Sequence, residues 1–237
     1  MKTLRAAFAC LLLLFPSLAS ATCTILLHGL GRSEGSMEKL ADRLEEAGFQ
    51  TINVDYPSTV YPIEALAGKA IAPALDQCAG NDAVHFVTHS MGGILVRQYL
   101  SRVTVPNLGR VVMLGPPNKG SEVVDTLRDV PGFHAILGDA GLQLGTEEES
   151  VPNRLGPANF EVGIIAGTRS VNPVLSQIIP ANDDGKVSVE STRLKGMSDH
   201  LEMPVTHVFM MQSDEVIAQV IHFLRFGRFQ RPAPPRT

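Results

Sequence analysis

The stretch of the chain richest in chemistry is His85-Phe86-Val87-Thr88-His89-Ser90-Met91-Gly92-Gly93. A strand-like run, Ala83–Val87, ends there, and helical spacing follows to about Leu100. A strand that turns this sharply into a helix holds its turn residue in a strained conformation and exposes its side chain. That residue is Ser90. Its hydroxyl lies at a helix N-terminus, where unpaired N–H groups and the helix dipole favour developing negative charge. Gly92 and Gly93 supply the small residues needed where strand and helix nearly touch. The chemistry open to such a Ser is nucleophilic attack, given an imidazole to take its proton and an acid to orient that imidazole.

Seven His compete for the base: His28, His85, His89, His134, His200, His207 and His222. His85 lies in a strand and His222 in the last helix, so both read as packing or surface residues. His89 adjoins Ser90, and its side chain is expected to diverge from the Ser. His207 falls between the last strand and the last helix, with His200 as its main rival. An acid belongs on a turn beyond a late strand, and Asn182-Asp183-Asp184-Gly185-Lys186-Val187 offers two, Asp184 and Asp183.

These residues sit in a regular alternation. Strand-like runs at Thr24–Leu27, Thr51–Asp55, Ala83–Val87, Arg110–Leu114, Val162–Ala166 and Leu201–Val205 are separated by segments of helical period. Met37, Leu40, Ala41, Leu44 and Ala47 mark one helix, with Gly48 as its C-terminal cap. Pro62 opens a second, which Pro73 is expected to kink or split. Glu215–Phe226 forms the last. Strands separated by helices imply right-handed crossovers, and so a mostly parallel α/β sheet with helices on both faces. Between about residues 115 and 160 the rhythm breaks into Pro, Gly and an acidic run, the pattern of a lid-like insertion. Residues 230–237 read as a flexible tail.

The 237 residues carry 20 Lys+Arg against 24 Asp+Glu, a net charge of −4, and 44% are hydrophobic. That excludes a disordered chain. With no basic tract, no Trp and only 3 Tyr, neither phosphate contacts nor base stacking is served, so no nucleic-acid partner is expected. Residues 1–21 have a positive start at Lys2 and Arg5, an apolar run Ala6–Phe15 and a small-residue site Ala19-Ser20-Ala21, the form of a cleaved export signal. The mature chain is then a single domain over 22–229, periplasmic or secreted, with no transmembrane segment expected. Cleavage removes Cys10 and leaves Cys23 and Cys78. Each precedes a strand, so parallel neighbouring strands would bring both sulfurs to one end of the sheet. They are expected to form a disulfide, the alternative being two buried thiols.

The elbow at Ser90 resembles the α/β-hydrolase family, and within it the bacterial lipases and esterases, whose motif is Gly-x-Ser-x-Gly, often with His before the Ser. Thr88 departs from that motif at its first position. His28-Gly29-Leu30-Gly31, after the first strong strand, is similar to the family's His-Gly oxyanion motif. The resemblance implies an oxyanion hole from the backbone N–H groups of Leu30 and Met91, with His28, Gly29, His89 and Gly92 in support. Gly115-Pro116-Pro117-Asn118-Lys119-Gly120-Ser121 looks like the lipases' Pro-x-x-Gly-Ser segment and is given no catalytic role. Asp184 before Gly185 matches the family's Asp-Gly acid, with Asp183 as fallback, and His207 stands where the family places its His. The implied triad is Ser90, Asp184, His207, in the family's chain order.

The resemblance implies an exported serine hydrolase that cleaves carboxylic, lipid-like esters through an acyl-enzyme. Its partner is a small-molecule ester or lipid, and transient contact with a lipid surface fits that reading. Val130, Phe133, Ile136, Leu137, Leu142 and Leu144 in the insertion could line or cover an acyl groove. No cofactor is expected: no His/Cys/Asp cluster has metal spacing, and GxGxxG and P-loop motifs are absent from the sequence. Acyltransferase, thioesterase or inositol-deacylase chemistry on the same triad is the alternative. A non-catalytic binding protein on this fold is another, to be tested by labelling with a serine-reactive phosphonate.

Overall fold

The computed structural model describes residues 22–171, 176–179 and 182–231, so the expected export signal lies outside the described residues. Among them, six strands form one parallel sheet: β1 Thr22–Leu27, β2 Gln50–Val54, β3 Ala83–His89, β4 Leu108–Leu114, β5 Val162–Gly167 and β6 Asp199–Met203. Their order is β2-β1-β3-β4-β5-β6. The chain therefore steps one way from β1 to β2, then crosses back to β3 and continues outward. At this switch point the segments following β1 and β3 leave the sheet side by side, and ligands of open α/β sheets bind in such crevices.

The helices are α1 Glu38–Glu46, α2 Ile63–Gln77, α3 Met91–Leu100, α4 Glu122–Leu127, α5 Phe133–Leu142, α6 Val151–Arg154, α7 Val189–Thr192 and α8 Asp214–Phe226. Strand residues alternate between two cores. Ile25, Phe86, Val111 and Ile164 face α2 and α3, meeting Leu66, Ile71 and Ile94. Leu26, Val87, Val112 and Ile165 face α1 and α8, meeting Leu40, Leu44, Val220 and Phe223. Burial on both faces is why the central strands read as continuous apolar runs. The start of α8 is capped by Ser213, whose side chain accepts from Val216 N–H, with Asp214 and Glu215 in the first turn.

Four expectations change here. Helix α2 runs through Pro73 without a break, because Pro73 and Lys69, whose carbonyl loses its donor, are both exposed to water. The last strand is Asp199–Met203 rather than Leu201–Val205, since Pro204 has no N–H to extend the ladder on β5. Gln230 and Arg231 do not begin a loose tail: Gln230 N–H donates to Gln219 and Arg231 pairs with Asp199 at 2.6 Å. Cys23 lies within β1 rather than ahead of it.

Cys23 and Cys78 form a disulfide with Cα atoms 5.7 Å apart, closing a separation of 55 residues and tying the C-terminus of α2 to β1. The stretch expected as an insertion holds α4, α5 and α6. It docks on α2 through Gln143, whose side chain accepts from Ile63 N–H at 2.7 Å and donates to Glu64 at 2.9 Å. Arg97, buried on α3, donates to the carbonyls of Asn118, Pro152 and Gly156, and burial lowers its guanidinium to about 10. No helix among the described residues is long and apolar enough to cross a membrane.

Candidate active site

Strand β3 ends at His89 and α3 begins at Met91, which leaves one residue for the reversal. Ser90 takes it at φ +52° and ψ −122°, the only non-glycine with positive φ among the described residues. Strain of this kind costs about 1–3 kcal/mol and persists only where the surroundings enforce it. Here Ser90 N–H donates to Leu114 O at 2.8 Å, which anchors the turn to β4. A Cβ on Gly92 would lie 2.6 Å from Leu27 O and 2.9 Å from His28 O. The tightest approach at Gly92 is thus to the end of β1, the strand next to β3. Thr88 is accommodated by Gly93, whose added Cβ would come within 3.2 Å of Thr88 Oγ1. That hydroxyl is buried without a hydrogen-bond partner.

His207 and Asp184 meet across 23 residues of sequence. Nδ1 of His207 is 2.7 Å from Asp184 Oδ2, and His207 N–H donates to Asp184 O at 2.9 Å. Asp184 Oδ1 accepts from the N–H groups of Lys186 and Val187 at 3.0 and 2.9 Å. Both side chains are buried. A carboxylate only accepts, so the proton sits on Nδ1 and Nε2 keeps its lone pair. Gly115, at the end of β4, makes room for the pair: a Cβ there would be 3.0 Å from Asp184 Oδ2 and 3.1 Å from His207 Nδ1. Asp183 turns elsewhere, accepting from Gly185 N–H and Ser176 Oγ.

The other His residues are engaged away from this pair. His200 bonds Thr192 Oγ1 at 2.9 Å, His134 pairs with Asp139, and His222 bonds Arg228 O. His85, buried, accepts from Arg110 N–H at 2.7 Å. His28 stacks on Tyr56 with ring centroids 4.0 Å apart, and Tyr56 O–H donates to His28 O.

His89 differs from its sequence reading. Instead of diverging, its ring lines the same cavity as Ser90 and lies 4.8 Å from the His207 ring. Its Nε2–H donates to His207 O at 2.9 Å, fixing the backbone that carries the imidazole. Burial, and then the charge that His207 would carry, hold His89 well below the ordinary His range, so it stays neutral beside its neighbour.

Ser90 and His207 open on a cavity of about 230 Å³. They face it together without a direct hydrogen bond to one another; such bonds commonly tighten only with substrate bound. Leu30, Val123, Phe133, Leu137 and Leu144 make its apolar wall, with Arg32 and Lys186 at its polar side. Of the apolar residues expected to serve an acyl groove, Phe133, Leu137 and Leu144 line it, half-buried Leu142 does not, and Val130 and Ile136 are exposed to solvent. Gly29 lines it as well. Leu30 is set by its neighbours: Gly31 N–H donates to Ser58 Oγ at 2.9 Å and Arg32 N–H to Gly29 O. Neither the Leu30 nor the Met91 N–H is used by the turns and caps around it among the described residues. Sequence reasoning missed Gly115, Tyr56, Ser58, Arg32 and Lys186. Only Gly115 and Lys186 lay within segments the motifs singled out.

A parallel sheet with a switch-point crevice, a Ser in a strained strand-to-helix turn and a buried His–carboxylate pair define an α/β hydrolase, and the chain belongs to the alpha/beta hydrolase family, whose model matches residues 24–220. Among curated proteins, none matches the sequence. The fold is similar to that of the mature Bacillus licheniformis lipase BlEst2, with 18% identity, 89% of this chain and 94% of that chain covered, and a TM-score of 0.65. It is also similar to phospholipase PlaB from Legionella pneumophila, with 16% identity, 89% of this chain and 60% of that longer one, and a TM-score of 0.68. A thermophilic esterase from Thermogutta terrifontis shares it at 16% identity, 88% and 91% coverage, and a TM-score of 0.58.

Proposed function

We propose that this α/β hydrolase cleaves carboxylic esters with apolar acyl groups through Ser90, His207 and Asp184. His207 Nε2 takes the Ser90 proton as Oγ attacks the ester carbonyl. The N–H groups of Leu30 and Met91 receive the oxyanion, and the new imidazolium is stabilised by Asp184. His207 returns the proton to the leaving alcohol, and water then hydrolyses the acyl-enzyme by the same route. The insertion acts as the acyl-binding wall and lid, through Phe133, Leu137 and Leu144. The observation that carries this reading is that His207, paired with the buried Asp184, lines the same cavity as Ser90. Export is part of the proposal, supported by the signal-like start and the disulfide.

The test is hydrolysis of p-nitrophenyl esters from acetate to palmitate by the mature wild type, Ser90→Ala and His207→Ala. Turnover by the wild type and its loss in both variants is expected, with stability changed by no more than about 1–2 kcal/mol. An active Ser90→Ala variant overturns the triad. A wild type that is labelled at Ser90 by a fluorophosphonate yet hydrolyses no ester shifts the function to acyl transfer.

A further inference from the structure

The cavity is apolar on the insertion side and cationic on the other. Arg32 follows the Leu30 loop, and Lys186 follows Asp184 and Gly185; both line the cavity with Ser90 and His207. Several of the chain's other described cations have carboxylate partners: Lys39 with Asp214, Arg110 with Glu161, Lys119 with Glu190, Arg128 with Glu147, Arg231 with Asp199. Arg32 and Lys186 have no ion pair among the described residues. The Asp184 carboxylate nearby is occupied by His207 and by backbone N–H groups. Desolvation and then the Arg32 charge lower the Lys186 ammonium, while the Asp184 carboxylate pulls the other way; both cationic residues keep an exposed surface. Two cations without an ion pair, lining the same cavity as Ser90 and His207, are an arrangement that favours an anion.

Resting on the ester-hydrolase reading, we infer that the substrate is an ester bearing an anionic group, which Arg32 and Lys186 bind while its apolar acyl part lies against Phe133, Leu137 and Leu144. A guanidinium and an ammonium take a carboxylate or a phosphate alike, the first as a fork and the second as a point charge. The anion is bound and not consumed. Hydrolysis of the ester bond is the only covalent change, with water supplying the hydroxyl to the acyl group and the proton to the alcohol.

The test compares matched pairs: p-nitrophenyl hexanoate with the p-nitrophenyl monoester of adipic acid, and 1-hexanoylglycerol with 1-hexanoylglycerol 3-phosphate. The first pair places a carboxylate on the acyl side, and the second places a phosphate on the alcohol side. For at least one pair, kcat/KM is expected to favour the anionic member, and in Arg32→Gln/Lys186→Gln the anionic-to-neutral ratio falls about tenfold, as two partly solvated charge contacts allow. The preference also shrinks with added salt. A ratio unaltered by the double variant overturns the inference, as does a neutral preference in both pairs. Should the wild type hydrolyse none of the four, the ester-hydrolase reading fails by itself, and calorimetric binding of the same compounds to Ser90→Ala, with and without the two cations, still decides the anion site. Equal binding by both forms overturns it.

Discussion

Replacing Gly92 by Ala tests how the elbow is built. The new Cβ lies 2.6 Å from Leu27 O, whereas ordinary contact begins at 3.4 Å, so about 0.8 Å (3.4 − 2.6) must be found. Leu27 is paired to Val54 on one side and Thr88 on the other, so the end of β1 cannot retreat without disturbing the sheet. Overpacking of this sort costs about 1–3 kcal/mol, which is roughly 2–4 °C of Tm per kcal/mol in a chain of this size. The larger effect falls on catalysis. Leu30 is three residues beyond Leu27, so the displacement carries its N–H off the oxyanion, and loss of one such donor lowers kcat by about 10²–10³-fold. Gly93→Ala is the control: its Cβ would meet Met113 Sδ and Thr88 Oγ1 at 3.2 Å and Pro116 Cβ at 3.3 Å, contacts that relax by a few tenths of an ångström. It is expected to cost under about 1 kcal/mol and to keep kcat within about tenfold. Calorimetric Tm and steady-state kinetics with a p-nitrophenyl ester measure both. Wild-type kcat in Gly92→Ala, or a heavier penalty in Gly93→Ala, refutes the placement of the close contact against β1.

Asp184→Asn removes the acceptor that holds the proton on His207 Nδ1 and is expected to lower kcat by up to about 10⁴-fold. Asp183→Asn keeps an acceptor for Gly185 N–H and should stay within about tenfold of the wild type; a reversed order of the two variants assigns the acid to Asp183. Replacing both Cys23 and Cys78 by Ser opens a 55-residue loop, and urea unfolding should show a loss of about 4 kcal/mol. An unchanged unfolding midpoint would show that the bridge adds nothing. Burial lowers the His28, His85 and His89 imidazoles below 6.5, and it is the first cause for each. The unfolded chain therefore binds more protons below pH 6.5, so stability is full above that value and falls as pH drops through it. Each imidazole that stays neutral contributes up to about 1.4 kcal/mol per pH unit. A urea midpoint flat from pH 8 to pH 5 contradicts this.

The parallel α/β architecture was legible in the residues alone, because strands buried on both faces must be written as apolar runs and crossover helices as 3.6-residue periods. The sequence also singled out Ser90, since a one-residue turn from strand to helix needs small neighbours that leave a local signature. His207 and the Asp183–Asp184 turn were readable only as candidates by position. The choice between the two Asp residues depends on which carboxylate faces an imidazole 23 residues away, and no local pattern encodes that direction. Pro73 and Pro204 show the same division: the residue type is local, but whether it breaks a helix or ends a strand depends on which carbonyl faces water and which neighbour needs an N–H. Tertiary structure alone revealed the dependence of Gly92 on β1, the space that Gly115 leaves for the His–Asp pair, and the lining of one cavity by Arg32 and Lys186. Each of these is a distance between segments remote in sequence, and such distances are fixed by the strand order and the packing of the sheet.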